Sequence, residues 1–330
     1  MRMSHYLKAS PLPRIAVIGC GAWGKNLIRN FAELGTLAAV CDVDSVKANA
    51  LATEYSVKVL SEEGIFTDSS IDAVVIASLA PLHAQQAEKA LRVGKHVYIE
   101  KPMSLSVEEA KNLCALAKVR NRTLMVGHIL NYHPAFMTLK EKLSELGPLQ
   151  HIYANRLSLG RVRRKENILW DLACHDISLI LSLTQEPPES VTATGQAFLA
   201  TKPMSALLTL TFPSGLTAHV HTSWLSPFKE QKLIVMGERA IAVFDDRKPW
   251  SEKLQISRDF LTWEEGHPHA NDGFQTEIIT VPEGEPLKNE CLHFLTCIQT
   301  GEEPLTSGLE GLRVTEVLEK AEQSLERRIP

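Results

Sequence analysis

The 330-residue chain has no apolar run long enough to cross a bilayer, which takes about 20 residues. Its opening stretch, MRMSHYLKASPLP, lacks the apolar core of a secretory signal, so residues 1–13 read as a mobile tail on a cytoplasmic protein. Charge of one sign is also missing: 35 Lys and Arg against 39 Asp and Glu leave a net −4. Such a balance carries no electrostatic footprint for nucleic acid or an anionic membrane. The six cysteines, Cys20, Cys41, Cys114, Cys174, Cys291 and Cys297, form no C-x-x-C pair. That excludes a zinc ribbon and argues against a disulfide framework, so no metal is expected and the thiols read as small buried hydrophobes. Internal repeats and low-complexity segments are absent as well.

What is present divides in two, as expected for a length beyond one compact core. The first part alternates apolar runs with helical patterns. Strands are expected at 14–18, 37–41, 73–77, 96–99 and 124–126, and helices at 25–34, 45–55, 83–93 and 106–119. Continuous apolar strands separated by helices imply a parallel sheet covered on both faces. After about residue 148, near Gly147-Pro148, the character changes. Strands at 151–158, 191–198, 206–212, 216–224, 232–236 and 240–244 mix apolar and polar positions, as in a one-sided antiparallel sheet. Pro213-Ser214-Gly215 reads as a hairpin turn. Helices are expected at 170–183 and 287–298, and Ser307 with Glu310 caps a last one. The fold class is therefore α/β: a doubly wound Rossmann sheet over 14–127, then an α/β domain over 128–330 with an open-faced, mostly antiparallel sheet. The C-terminal helices have the option of packing back on the first domain.

Gly19-Cys20-Gly21-Ala22-Trp23-Gly24 follows the first strand and opens the first helix. In that context G-x-G-x-x-G is a dinucleotide fingerprint. Gly19 makes the tight turn, Gly21 admits the pyrophosphate, and Gly24 allows close packing of helix on strand. Asp42, 23 residues after Gly19, ends the second strand. A carboxylate there accepts from both ribose hydroxyls and repels a 2′-phosphate, which favours NAD over NADP.

Glu100-Lys101-Pro102 follows the fourth strand, at the sheet end that faces ligand in doubly wound folds. On spacing alone, an ordinary surface lysine explains Lys101 equally well. Asp171 and His175 lie four apart and share one face of a helix. A carboxylate can orient an imidazole that takes a hydroxyl proton. Taken alone, the simpler reading is an Asp near a helix N-terminus and a satisfied histidine.

Together these motifs carry a resemblance. From Ile15 to Leu325 the chain resembles the glucose–fructose oxidoreductase, inositol dehydrogenase and rhizopine catabolism (Gfo/Idh/MocA) family. The shared signature is the glycine loop, then E-K-P, then D-x-x-x-H. The resemblance implies an NAD-dependent sugar dehydrogenase with His175 as general base, Lys101 on the reacting oxygen and Asp171 orienting sugar and histidine. It implies cofactor contacts from the loop residues, Asp42, Ser78, Leu79, His83, Glu100 and Lys101. It also implies a cis bond before Pro102 and a homodimer or homotetramer built on the open sheet. One segment departs: many relatives read T-P-N-x-x-H where this chain has Ser78-Leu79-Ala80-Pro81-Leu82-His83. An asparagine side-chain contact to the cofactor is thereby lost.

The densest basic cluster, Gly160 to Asn167, precedes Asp171. Arginine suits a diphosphate by geometry, and Arg161, flanked by Gly160 and Val162, is the favoured contact, although a solvated loop explains the cluster as well. Residues 155–183, Trp224 to Pro227, Phe244-Asp245-Asp246 and 285–306 resemble the nucleotide-sugar branch of the family. That branch implies oxidation of a UDP-sugar, best UDP-N-acetylglucosamine, at its 3-hydroxyl. A pyridoxal-phosphate (PLP) aminotransferase then aminates the keto sugar for lipid A or surface polysaccharide. A UDP-N-acetylglucosaminuronate dehydrogenase, a free-sugar or inositol dehydrogenase, and a non-catalytic NAD sensor are the alternatives.

Overall fold

The computed structural model describes residues 11–159, 167–198, 202–264, 267–271 and 273–326. Residues 1–10, most of the expected tail, and Arg161 lie outside the described residues. Contacts divide the chain into two units, Met1–Ile129 with Glu285–Thr315, and Leu130–Gly284 with Glu316–Pro330. The chain thus passes between units at Ile129, upstream of the composition change at Gly147-Pro148. Pro148 is instead knitted into the second unit, where its carbonyl accepts from the Glu238 amide at 3.1 Å.

The first unit contains β1 (Ile15–Ile18), α1 (Gly24–Glu33), β2 (Leu37–Cys41), α2 (Ser45–Tyr55), β3 (Lys58–Val59), α3 (Glu62–Thr67), β4 (Ala73–Ile76), α4 (Ala80–Arg92), β5 (His96–Glu100), α5 (Val107–Arg120) and β6 (Leu124–Gly127). Its six strands pair in parallel in the order β3-β2-β1-β4-β5-β6. This is the Rossmann order, which reverses between β1 and β4 and opens a crevice at the strand C-termini. The residues of β1, β4 and β6 are buried on both faces, because successive side chains point to opposite sides and each side is covered. Ala16, Ile18, Val74, Ile76, Val97 and Ile99 pack with α4 and α5 residues such as Ala87, Leu91 and Leu113. On the other face Tyr98 meets Phe294 edge-on, with ring centroids 5.7 Å apart.

Local chemistry sets the helix boundaries. Asp44 caps α2 by accepting from the Val46 and Lys47 amides. Ser106 caps α5 by accepting from the Glu109 amide. The helix expected from His83 begins at Ala80, because Pro81 fits the first turn, where its missing N–H costs nothing.

The second unit holds two short helices, α6 (Pro134–Glu141) and α7 (Leu143–Leu146), then β7 (Leu149–Leu159). A π-helical turn over Leu169–Ala173 leads into α8 (Cys174–Thr184). The strands are β8 (Ser190–Gln196), β9 (Ser205–Thr211), β10 (Thr217–Ser223), β11 (Leu225–Gly237), β12 (Ala240–Asp245), β13 (Leu254–Arg258), β14 (Leu261–Glu264), β15 (His267–Ala270) and β16 (Gln275–Ile278). Eight strands form one sheet in the order β16-β13-β12-β11-β7-β10-β9-β8, antiparallel except where β7 runs parallel to β10. Ile152, Ala154, Val220, Leu208 and Val235 are buried on one face, while His151, Tyr153, His219 and Ile234 alternate with them and stay half-exposed. The sheet is open on one side, as the alternation implied. Helix α9 (Pro286–Thr300) belongs to the first unit, and the residues of α10 (Gly308–Glu326) divide between the units after Thr315. No disulfide links the six cysteines. Among the described residues no helix is long and apolar enough to cross a membrane.

Candidate active site

The glycine loop sits at the crevice end of β1, and its three glycines meet three different surroundings. Gly19 has φ +108°, and a Cβ there would lie 2.4 Å from the Ala77 carbonyl oxygen. A Cβ on Gly24 would lie 1.9 Å from the Gly19 carbonyl oxygen, so helix and strand are in backbone contact. A Cβ on Gly21 would meet nothing within 4 Å. Closed space at the first and third glycines and open space at the second is the cradle a pyrophosphate requires. The α1 N-terminus opens there with no side-chain cap, and its dipole favours a phosphate. Asp42 stands at the end of β2 and ties itself to the loop. Its Oδ2 accepts from the Cys20 amide at 2.5 Å and its Oδ1 from the Asp44 amide at 2.8 Å. An ionised carboxylate keeps further lone pairs, which ribose hydroxyls can use. These residues fit a dinucleotide.

Trp23 is the link between the loop and the E-K-P segment. Its indole N–H donates to Glu100 Oε1 at 2.6 Å. Tyr98 donates to the same oxygen at 3.3 Å, and the Lys101 amide donates to Oε2 at 3.2 Å. Burial pushes the Glu100 carboxyl above its ordinary pKa, against these three donors and the nearby Lys101 charge. Room for this arrangement exists because residue 127 is glycine. A Cβ there would lie 2.9 Å from Glu100 Oε1 and 3.0 Å from the Tyr98 hydroxyl. The Lys101–Pro102 bond is cis, as the resemblance implied. His83 is 2% exposed. Its ring lies between the carbonyls of Pro102 at 2.8 Å and Ser78 at 3.2 Å, so it staples the loops after β4 and β5. Burial lowers its pKa and favours the neutral ring. The Ser78 hydroxyl donates to Gln86 Oε1 at 2.6 Å, and Leu79 is 72% exposed at the crevice.

Asp171 and His175 belong to the second unit. Asp171 lies in the π-helical turn and is buried, and His175 follows in the first turn of α8, half-buried. The sequence pattern predicts one unbroken α-helix from Trp170; the widened turn replaces its start. π-turns recur at functional sites because they re-aim side chains within a helix. Two anchors hold this segment, and neither was visible to sequence reasoning. Glu322, on α10, accepts from Asn167 Nδ2 at 2.8 Å and from the Trp170 indole at 3.0 Å. Asn167 Oδ1 in turn accepts from the Leu169 amide at 3.1 Å. On the far side, Asp176 accepts a bidentate pair from Arg156 on β7, at 2.7 and 2.9 Å, with both residues buried. An asparagine ahead of an apolar helix is a recognisable cap signal. Glu322 and Arg156 are too distant in sequence to leave a local one.

Comparison with known proteins agrees with these two halves. Residues 13–128 match the oxidoreductase family with an NAD-binding Rossmann fold, and residues 147–243 match the Gfo/Idh/MocA C-terminal domain. The chain is 29% identical over 310 residues to UDP-N-acetylglucosamine 3-dehydrogenase of Acidithiobacillus ferrooxidans, covering 91% of this chain and 93% of that one. A solved structure of UDP-N-acetylglucosamine 3-dehydrogenase from the same organism matches with a TM-score of 0.86 at 27% identity, over 95% of this chain and 97% of that one. Inositol 2-dehydrogenase of Rhizobium meliloti is 26% identical over 330 residues, covering 94% and 96% of the two chains. With both of its domains matched in order, the chain belongs to the Gfo/Idh/MocA oxidoreductase family, and its first domain binds NAD.

Proposed function

We propose that this protein oxidises the 3-hydroxyl of a UDP-sugar, UDP-N-acetylglucosamine, with NAD as hydride acceptor. The observation that carries the reading is near-full-length similarity to an enzyme of that name in a chain that also has Lys101, Asp171 and His175. When bound, NAD accepts the hydride; the protein handles the proton and the geometry. His175 takes the hydroxyl proton as general base. The Lys101 ammonium stabilises the developing alkoxide. Asp171 orients the imidazole and the sugar. Asp42 selects NAD over NADP by placing a carboxylate where a 2′-phosphate would sit. Arg161 is the proposed diphosphate contact. The open sheet face, with His151, Tyr153 and His219, is the proposed contact of a homodimer or homotetramer.

In this reading the protein is cytoplasmic, and the keto product feeds a PLP-dependent aminotransferase on the way to lipid A or surface polysaccharide. The test is a panel of UDP-sugars and free sugars incubated with NAD, followed by nicotinamide absorbance. An aminotransferase in the mixture draws off an unfavourable keto product. Turnover with UDP-N-acetylglucosamine is expected. Turnover with inositol alone would move the substrate to the free polyols. Absence of turnover across the panel, with NAD still bound, would leave a sensor rather than an enzyme.

A further inference from the structure

The π-helical turn that carries Asp171 has no local cause. Its widened bond runs from the Cys174 amide to the Leu169 carbonyl, five positions back. The residues between, Trp170 to Ala173, include neither glycine nor proline, so nothing in them breaks an ordinary α-turn. The widening is therefore imposed from outside. On one side Glu322 fixes Asn167 and Trp170, its Oε1 accepting at 2.8 Å and its Oε2 at 3.0 Å. Asn167 passes that anchorage on: its side chain accepts from the Leu169 amide at 3.1 Å, and its carbonyl accepts from the Asp171 amide at 3.0 Å. On the other side Asp176 is fixed to Arg156 by two bonds. Between these clamps the chain carries more length than an α-turn takes, and the turn opens around Asp171. Glu322 itself has a firm base. Two positions on, the Ser324 hydroxyl accepts from the Ala193 amide at 2.9 Å and donates to the Ala193 carbonyl at 3.4 Å, which docks the end of α10 on the edge strand β8.

We propose that Glu322 is a positioning residue for proton transfer: by holding Asn167 and Trp170 it keeps the π-turn open and aims Asp171 so that it orients His175. The inference rests on the reading of Asp171 and His175 as the catalytic pair. Glu322 acts through the turn rather than on the reacting atoms. Both of its oxygens are needed. A carboxylate accepts from two donors at once, whereas a glutamine offers one accepting oxygen and an amide that donates. Asn167 cannot turn round to meet that amide, because its Oδ1 is committed to the Leu169 amide. A turn released from Glu322 relaxes toward regular α geometry, and a shift of about 1 Å at a positioning group costs about 10²-fold in rate.

The test is steady-state turnover of UDP-N-acetylglucosamine with NAD, coupled to an aminotransferase and expressed per NADH-binding site. The first unit binds the nucleotide and Glu322 lies in the second, so titrated sites count folded enzyme and separate lost protein from lost geometry. Glu322→Ala is expected to lose about 10²-fold in kcat. Glu322→Gln should lose about tenfold, because its amide opposes a donor. Adding Trp170→Phe to Glu322→Gln removes the opposed indole and should bring kcat back to within about threefold of the parent. KM for the sugar nucleotide should move less than kcat in all three. A role in stability alone leaves kcat per site unchanged, and that result would overturn the proposal. So would a double variant no faster than Glu322→Gln, a comparison that stands even where the Ala variant does not fold. His175→Ala is measured alongside. If it is inactive while the Glu322 variants turn over like the parent, the positioning role alone falls; if it turns over like the parent, the catalytic pair falls and the positioning role with it.

Discussion

The glycine loop predicts two alanine substitutions with opposite consequences. At Gly24 the added Cβ would stand 1.9 Å from the Gly19 carbonyl oxygen, where real Cβ contacts stay beyond 3.0 Å. Relief requires α1 and β1 to part by about 1 Å, and overpacking of this kind costs about 1–3 kcal/mol. Better helix propensity returns up to about 1 kcal/mol. Gly24→Ala should therefore lower the urea midpoint and weaken NAD indirectly. At Gly21 the Cβ meets no protein atom within 4 Å, and φ lies outside the left-handed range. Gly21→Ala should leave stability within about 0.5 kcal/mol of the parent. Its methyl occupies the space the pyrophosphate needs, and the same overpacking cost corresponds to about 5- to 150-fold in affinity. Urea denaturation and NAD calorimetry on both variants separate the two effects. If Gly21→Ala bound NAD like the parent, or lost stability as Gly24→Ala does, the assignment of open and closed space would be refuted.

Other outcomes follow from the same geometry. His175→Ala and Lys101→Ala should each keep NAD affinity and lose about 10²–10⁴ in turnover, measured as steady-state rates beside NAD titrations. Asp176→Asn leaves Arg156 buried without its counter-charge and should cost about 3–5 kcal/mol in urea denaturation, whereas the double change Arg156→Met with Asp176→Leu should cost much less. Burial within α9, with Glu100 nearby, pushes the Glu290 carboxyl well above its ordinary pKa, and this has a signed effect on stability. The folded state retains a proton that the unfolded chain releases near pH 4.5, so parental stability is fully present below that value and falls as pH rises toward the folded value. Thermal midpoints should therefore show Glu290→Gln gaining on the parent with rising pH; parallel curves would contradict a raised carboxyl.

The parts that were legible are those where function or burial imposes a local pattern. Continuous apolar strands such as Ala73–Ile76 are buried on both faces, and that requirement is written in consecutive residues. Short or exposed elements carry no such pattern. β3 is two exposed residues, β16 is wholly exposed, and neither is visible as a strand. The glycine loop was legible because a dinucleotide demands particular residues at fixed spacing, whereas Lys101, Asp171 and His175 stood out only through the family resemblance. Glu290 was half-legible, since a charge interrupting the apolar stripe of α9 is a local anomaly.

Family resemblance marked Lys101, Asp171 and His175; the sequence pattern by itself determined the layered α/β architecture and the glycine cradle. Period, apolarity and spacing are local properties, and these features depend on nothing else. Only the tertiary structure decided what holds those groups. Glu322 reaches Asn167 and Trp170 across about 150 positions, Trp23 reaches Glu100 across 77, and Arg156 finds Asp176 on a different element. Such contacts are selected by packing geometry, which no window of neighbouring residues encodes.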